Sequence, residues 1–332
     1  MNLPRLALTA TRMLRPSRWL AVIGVLGLSQ CAPSYTLVSQ RKDQATIDRM
    51  HETFGFRKWV SVRTKPDIVI IGIHGFCGAA IDYENLGKDL LKNQPKTALY
   101  AYEVRGQGSD PFKERRGDID EPALWYRDLL TFTKLVRERH PDAKIIWMGE
   151  SMGGLIASHT WQQEVVKRPP CDALILSSPV VKIRSDVPAW KKDILKLAAA
   201  TVPKGRISME ALSGGQSVQM THTSNHSEQA ETNAWNIDEH TFRLLASLGD
   251  HIEDMNACAE SFRVPVLVLH GGKDFFTEDS AVREFMSHIP KQTPKSLLYY
   301  PDAYHLLMYD TRKDEVIRDI EHWIARFRER EQ

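Results

Sequence analysis

The chain has 332 residues, 42% of them apolar and 26% charged, which is ordinary for a globular protein and enough for one large domain or two small ones. The formal net charge of +2 gives no electrostatic footprint for nucleic acid. No internal repeat or low-complexity tract interrupts the sequence.

The N-terminus differs from the rest. Arg5, Arg12, Arg15 and Arg18 precede WLAVIGVLGL (19–28), and no acid comes before Asp43. A basic segment followed by an apolar core of ten residues reads as a secretory signal. The core is shorter than the roughly 20 residues that span a bilayer. LSQC (28–31) then resembles a bacterial lipobox, in which the cysteine becomes the lipidated first residue of the mature chain. Gln30 departs from that pattern, which has a small residue there. The expectation is a lipoprotein-type signal over 1–31, cleaved before Cys31, and a membrane anchor through lipidated Cys31. The chain would then sit in a bacterial cell envelope, facing the periplasm. Residues 32–60 read as a leader, polar and then aromatic (FGFRKWV, 54–60). The other cysteines, Cys77, Cys171 and Cys258, cannot all pair internally. One bridge or three small buried hydrophobes remain open.

From there strands and helices alternate. DIVIIGIHG (67–75) is a strand, ENLGKDLLKNQ (84–94) helical and TALYAYEV (97–104) a strand. A long amphipathic helix follows at 121–140, with Pro122 near its start and basic residues in its last turn. AKIIWMG (143–149) reads as a buried strand, 154–166 as a helix entering the core, and DALILSSP (172–179) as a strand. VPVLVLHGG (264–272) and SLLYYPDAYH (296–305) are the last clear strands. Continuous apolar strands alternating with helices predict an α/β fold with a mostly parallel sheet covered on both faces. Residues 181–245 break the alternation and supply helices (188–202, 238–248) around a Gly, Ser, Thr and His-rich segment. They read as a helical lid between two core segments, 61–180 and 246–332. In the lid helix, Trp190, Ile194, Leu197 and Val202 fall near one face, either to contact an acyl chain or to pack on their own domain.

One motif carries chemistry. Gly149, Glu150, Ser151, Met152 and Gly153 form G-x-S-x-G between a strand and a helix, the context of a nucleophile elbow. A serine hydroxyl needs an adjacent base, and the base needs an orienting acid. In the chain order serine, acid, histidine, the candidates are Asp274, just past one strand, and His305, just past the next. Met152 and Phe76, the latter in HGFCG (74–78), are the candidate N–H donors of an oxyanion hole. His270 reads as structural, and His222, His226, His240 and His251 as lid or surface packing. Glu150 reads as a hydrogen-bonding residue of the turn. No His/Asp cluster has metal-ligand spacing, so neither metal nor cofactor is expected.

HGFCGAAIDY, VRGQGSD, RGDIDEPALWYRDL, HPDAKIIWMGESMGG, LILSSPVVKI, GRISMEALSG, VLVLHGGKDFF and AYHLLMYD together resemble the α/β-hydrolase fold, over about residues 65–315. The resemblance is to its monoacylglycerol lipase and lysophospholipase-like branch, also called serine aminopeptidase-like hydrolases. It implies the roles given above to Ser151, Asp274, His305, Phe76 and Met152, and a helical lid. Glu150 and Gln107 stand where many members carry histidine, and Cys77 is an unusual neighbour for an oxyanion donor. The implied activity is serine-esterase hydrolysis of small acyl esters such as monoacylglycerols or lysophospholipids. The alternatives are a proline-iminopeptidase-type aminopeptidase, an acyltransferase and a non-catalytic envelope binding protein.

Overall fold

The computed structural model describes residues 35–330 except 42–43, 50–51, 166–168, 209 and 212–216. The expected signal and Cys31 lie outside the described residues.

The segment read as a leader joins the sheet. β1 (Tyr35–Arg41), β2 (Gln44–Arg49) and β3 (Glu52–Trp59) run antiparallel, and β3 pairs with the strand Thr97–Tyr102 through Phe56↔Tyr102. Alternation in FGFRKW explains the pairing, because Phe54 and Phe56 are buried in the core. β4 (Ile68–Ile73), β5 (Thr97–Tyr102), β6 (Lys144–Glu150) and β7 (Ala173–Ser177) follow. Four short strands come next in the lid, β8 (Arg206–Ser208), β9 (Gln219–Thr221), β10 (Ser224–Asn225) and β11 (Glu239–Thr241). β12 (Val266–Gly271) and β13 (Lys295–Tyr300) complete a nine-stranded sheet in the order β1-β2-β3-β5-β4-β6-β7-β12-β13. From β5 to β13 the strands are parallel.

Parallel central strands bury both faces, which is why they read as unbroken apolar runs. Val69, Ile71 and Ile73 of β4 face one core, and Ile68 and Ile70 face the other. The first core is closed by α2 (Ala123–Arg139), α3 (Met152–Glu164) and α8 (Asp279–His288). The second is closed by α1 (Glu84–Asn93) and α9 (Lys313–Arg330), which contributes Ile320, Trp323 and Phe327. Neither α8 nor α9 was among the elements read from the sequence, although VIRDIEHWIARF (316–327) has helical apolar spacing. The last strand stops at Tyr300, short of the expected 305, because Pro301 cannot extend a ladder.

The lid holds α4 (Ala189–Thr201), α5 (His226–Thr232) and α6 (Phe242–Glu253), with α7 (Met255–Glu260) leading back to the sheet. α6 starts later than the expected 238, because residues 239–241 pair with β8 instead. The Thr241 hydroxyl then caps the helix by accepting the Leu244 N–H. At the carboxyl edge of the sheet, the loops after β4, β6, β12 and β13 meet beneath this lid.

Candidate active site

β6 runs straight into α3 through Ser151, whose φ of 51° and ψ of −116° lie outside the regions an L-residue prefers. Such strain is held only where the surroundings over-determine it. The turn is tight enough that a side chain at Gly153 would stand 1.8 Å from the Ile73 carbonyl, and one at Gly149 would meet the Gly153 carbonyl at 2.4 Å. The Ser151 N–H donates to Ser177 O at 2.9 Å, which fixes the elbow to β7. Met152 is the first residue of α3, so the helix leaves its N–H without an intrahelical partner, at the positive end of the dipole.

The loop after β4 approaches Ser151 closely, since a side chain at Gly75 would lie 3.2 Å from Ser151 Cβ. Its orientation follows from a chain of hydrogen bonds. The Val104 N–H donates to His74 Nε2 at 2.9 Å, so the other ring nitrogen carries the proton. His74 Nδ1 therefore donates to Gly75 O at 3.0 Å, and the Gly78 N–H donates to the same oxygen at 3.1 Å. In a trans peptide the carbonyl and the following N–H point in opposite directions. Anchoring the Gly75 carbonyl thus turns the Phe76 N–H the other way. Tyr83 braces the same corner: its hydroxyl accepts the Ile73 N–H at 3.1 Å and reaches the carbonyls of Ile73 (2.9 Å) and Met148 (2.7 Å).

Asp274 and His305 stand on the loops after the neighbouring strands β12 and β13. His305 Nδ1 lies 2.8 Å from Asp274 Oδ2, and the Phe276 N–H donates to Asp274 Oδ1 at 2.8 Å. With Nδ1 engaged, Nε2 is the nitrogen left for proton transfer. Ser178 Oγ donates to the His305 carbonyl at 2.7 Å, and the Phe276 ring meets the imidazole edge-on at 4.6 Å between centroids. His270 is buried behind, its Nε2 3.0 Å from Asp279 and its Nδ1 4.0 Å from Asp274.

Ser151, Met152, Phe76 and His305 all line one cavity of about 540 Å³. Most of its wall is apolar, including Leu155, Val180, Leu245, Leu248 and Ile252, which suits a hydrophobic ligand. Trp190, Ile194, Leu197 and Val202 do not contribute. They are 57–64% exposed, and α4 is tied to α6 from its other side by Lys192–Glu253 and by Lys196–Asp250 at 2.7 Å. The expected face therefore neither touches the cavity nor packs on the domain. The apolar wall supplied by the lid comes from α6, with Met220 and Ala230 beside it.

Two acids also line the cavity: Glu150, read as a hydrogen-bonding residue of the turn, and Asp82, which the sequence pattern did not single out. Glu150 is 3% exposed and its Oε2 has no hydrogen-bond partner. Burial first, and Asp82 second, push its carboxyl up to about 8. Burial likewise raises Asp82 to about 6. The lid acids Asp186, Glu210, Glu228 and Glu231 are not among the lining residues. Cys77, Cys171 and Cys258 are all free, and Cys77 lines the cavity instead of filling the core.

The chain is 25% identical over 279 residues to an uncharacterized abhydrolase domain-containing protein of Dictyostelium discoideum, covering 82% of this chain but only 28% of that one. It is 23% identical over 276 residues to the monoglyceride lipase of Rattus norvegicus, covering 78% of this chain and 83% of the relative. A soluble variant of the Saccharomyces cerevisiae monoglyceride lipase, solved with a substrate analog, superposes with a TM-score of 0.70 at 19% identity, over 90% of this chain and 97% of that one. That likeness establishes the α/β-hydrolase fold, with its mostly parallel sheet and flanking helices. The model of the serine aminopeptidase S33 family matches residues 64–312, and the chain belongs to that family of α/β-hydrolases.

Proposed function

We propose that this protein is a serine esterase that cleaves fatty-acyl esters of monoacylglycerol or lysophospholipid type through an acyl-Ser151 intermediate. The observation that carries the reading is the strained Ser151 opening onto the same apolar cavity as the Asp274-bound His305. In the first step Ser151 Oγ attacks the ester carbonyl while His305 Nε2 takes its proton. The resulting oxyanion is held by the N–H groups of Phe76 and Met152. Collapse breaks the carbon–oxygen bond, and His305 returns the proton to the departing alcohol. Water, deprotonated by His305, then attacks the acyl-serine and regenerates Ser151. Asp274 orients the imidazole and stabilises its charged form. The relation to monoglyceride lipases supports the substrate class.

A series of p-nitrophenyl esters of increasing chain length, run beside Ser151→Ala, tests the reading. Turnover by wild type that the variant loses supports it. A folded wild type that cleaves no ester and takes no fluorophosphonate at Ser151 overturns it.

An aminopeptidase reading is favoured by one observation, the pair Asp82 and Glu150 on the cavity wall, where an amine would find a carboxylate. Release of naphthylamine from proline naphthylamide would select it. The chain also carries the lipobox-like LSQC, and we place it in the bacterial cell envelope, anchored through Cys31 and facing the periplasm. Fatty-acid labelling that disappears in Cys31→Ala supports this placement, and equal labelling overturns it.

A further inference from the structure

Two features of the sequence that fit the family least well, Cys77 and Gln107, touch each other in the fold. The Cys77 N–H donates to Gln107 Oε1 at 3.0 Å. Gln107 is fully buried on the loop after β5, and the donor N–H fixes which end of its amide faces the loop. Cys77 itself sits at a φ of 55°, a left-handed conformation that a residue with a side chain holds only under constraint from its neighbours.

The remaining constraint comes from the lid. Asn233 Nδ2 donates to the Cys77 carbonyl at 3.4 Å, and the thiol lies 4.0 Å from Ile237 O and 3.6 Å from His240 Nε2. The His240 imidazole, with no exposed surface, lies against the ring of Phe76 at 4.2 Å between centroids and 32° between planes. Burial holds the thiol protonated, pushed up to about 12, and drives the imidazole down to about 4. The contact is therefore between two uncharged groups, a thiol and an imidazole. His240 is in turn fixed to the core, because the neighbouring Thr241 N–H donates to Gly117 O at 2.8 Å and its hydroxyl to Asp118 at 2.7 Å.

We propose that Gln107 and the lid residue His240 are positioning residues of the oxyanion hole, which hold the Phe76 N–H on the reacting carbonyl and couple the hole to the lid. Neither touches substrate. Gln107 holds the residue after Phe76, and His240 holds the Phe76 ring and the Cys77 thiol. Loosening either lets the 75–78 loop turn its N–H away from the site. The effect falls on the transition state, where the negative charge develops, and spares ground-state binding.

This inference rests on the esterase reading, and the test separates the two. The full chain and its variants His240→Ala, His240→Phe and Gln107→Met are assayed on p-nitrophenyl butyrate, and inhibition by a trifluoromethyl ketone, whose adduct carries the oxyanion, is measured beside it. Removal of a whole oxyanion donor costs roughly 10²–10³ in kcat, so misplacing one should cost about 10–100-fold in His240→Ala and Gln107→Met. KM stays at the wild-type value, and the inhibition constant for the ketone rises by the same factor as kcat falls. His240→Phe, which keeps a ring against Phe76, recovers most of the loss. A wild-type kcat in both variants, or a fall in kcat with no change in ketone affinity, overturns the coupling while leaving the esterase reading intact. If His240→Ala does not fold, Gln107→Met decides alone. A wild type inactive on every ester and inert to fluorophosphonate overturns the esterase reading itself.

Discussion

One oxygen of Asp274 faces His305 Nδ1 at 2.8 Å, while the other accepts the Phe276 N–H at 2.8 Å. The carboxylate is therefore held from two sides, and its orientation is set by backbone as well as by the imidazole. Asp274→Asn keeps the shape but presents an N–H in one rotamer, which favours the wrong imidazole tautomer. We expect kcat on p-nitrophenyl butyrate to fall by about 10⁴ with little change in KM. A loss under tenfold would show that His305 is oriented by another group.

Ser151 predicts a split between activity and stability. Ser151→Ala should abolish most turnover, a loss on the order of 10⁴ or more, and leave unfolding by urea close to wild type. Ser151→Gly should be equally inactive yet more stable by about 1 kcal/mol, because glycine accepts the φ of 51° without strain. Equal stability of the two variants would mean that the elbow stores no strain at this residue.

Glu150 predicts a slope of stability with pH. Its carboxyl moves from the usual 4.5 up to about 8, through burial and the neighbouring Asp82. Between those values the folded state keeps a proton that the unfolded chain has released. Stability therefore falls as pH rises through this window and levels off above it. Each unit of separation is worth about 1.4 kcal/mol, so the loss is on the order of a few kcal/mol. Glu150→Gln removes this contribution. Its stability relative to wild type, from urea unfolding at pH 5, 7 and 9, should rise with pH. A constant difference across the three would place the Glu150 titration outside that range.

The α4 stripe predicts a dependence on the physical state of the substrate. Trp190, Ile194 and Leu197 are exposed, so replacing all three by serine should leave stability within about 0.5 kcal/mol of wild type. Activity on dissolved p-nitrophenyl butyrate should be unchanged, because none of them lines the cavity. Activity on emulsified long-chain monoester should drop roughly tenfold, as lost apolar area weakens contact with the lipid surface. Equal activity on both substrates would leave the stripe without a part in substrate capture.

Features that depend on local order are legible in the residue pattern alone. Unbroken apolar runs such as IVIIGI (Ile68–Ile73) require burial on both faces, which selects a parallel sheet between helices. G-x-S-x-G needs a strand before it and a helix after it, and both were readable within a few residues of Ser151. Asp274 and His305 could be chosen from chain order and from their position just beyond strands. The geometry that joins them was not readable, because the contact spans 31 residues of sequence.

The remaining features come from contacts between distant segments. The segment 32–60 read as a leader, yet β3 pairs with the edge of β5 and brings β2 and β1 into the sheet, because that edge offers unpaired backbone groups. The amphipathic pattern of α4 shows that an apolar face exists but not which way it points. In the fold that face is turned to solvent, ion pairs join the other face to α6, and α6 with Met220 and Ala230 walls the cavity. Gln107 and Cys77 stood out as departures from a pattern, but their meeting, and that of His240 with Phe76, joins segments 30 and more than 160 residues apart. Local spacing carries no information about such contacts, since they exist only after loop closure has brought the segments together.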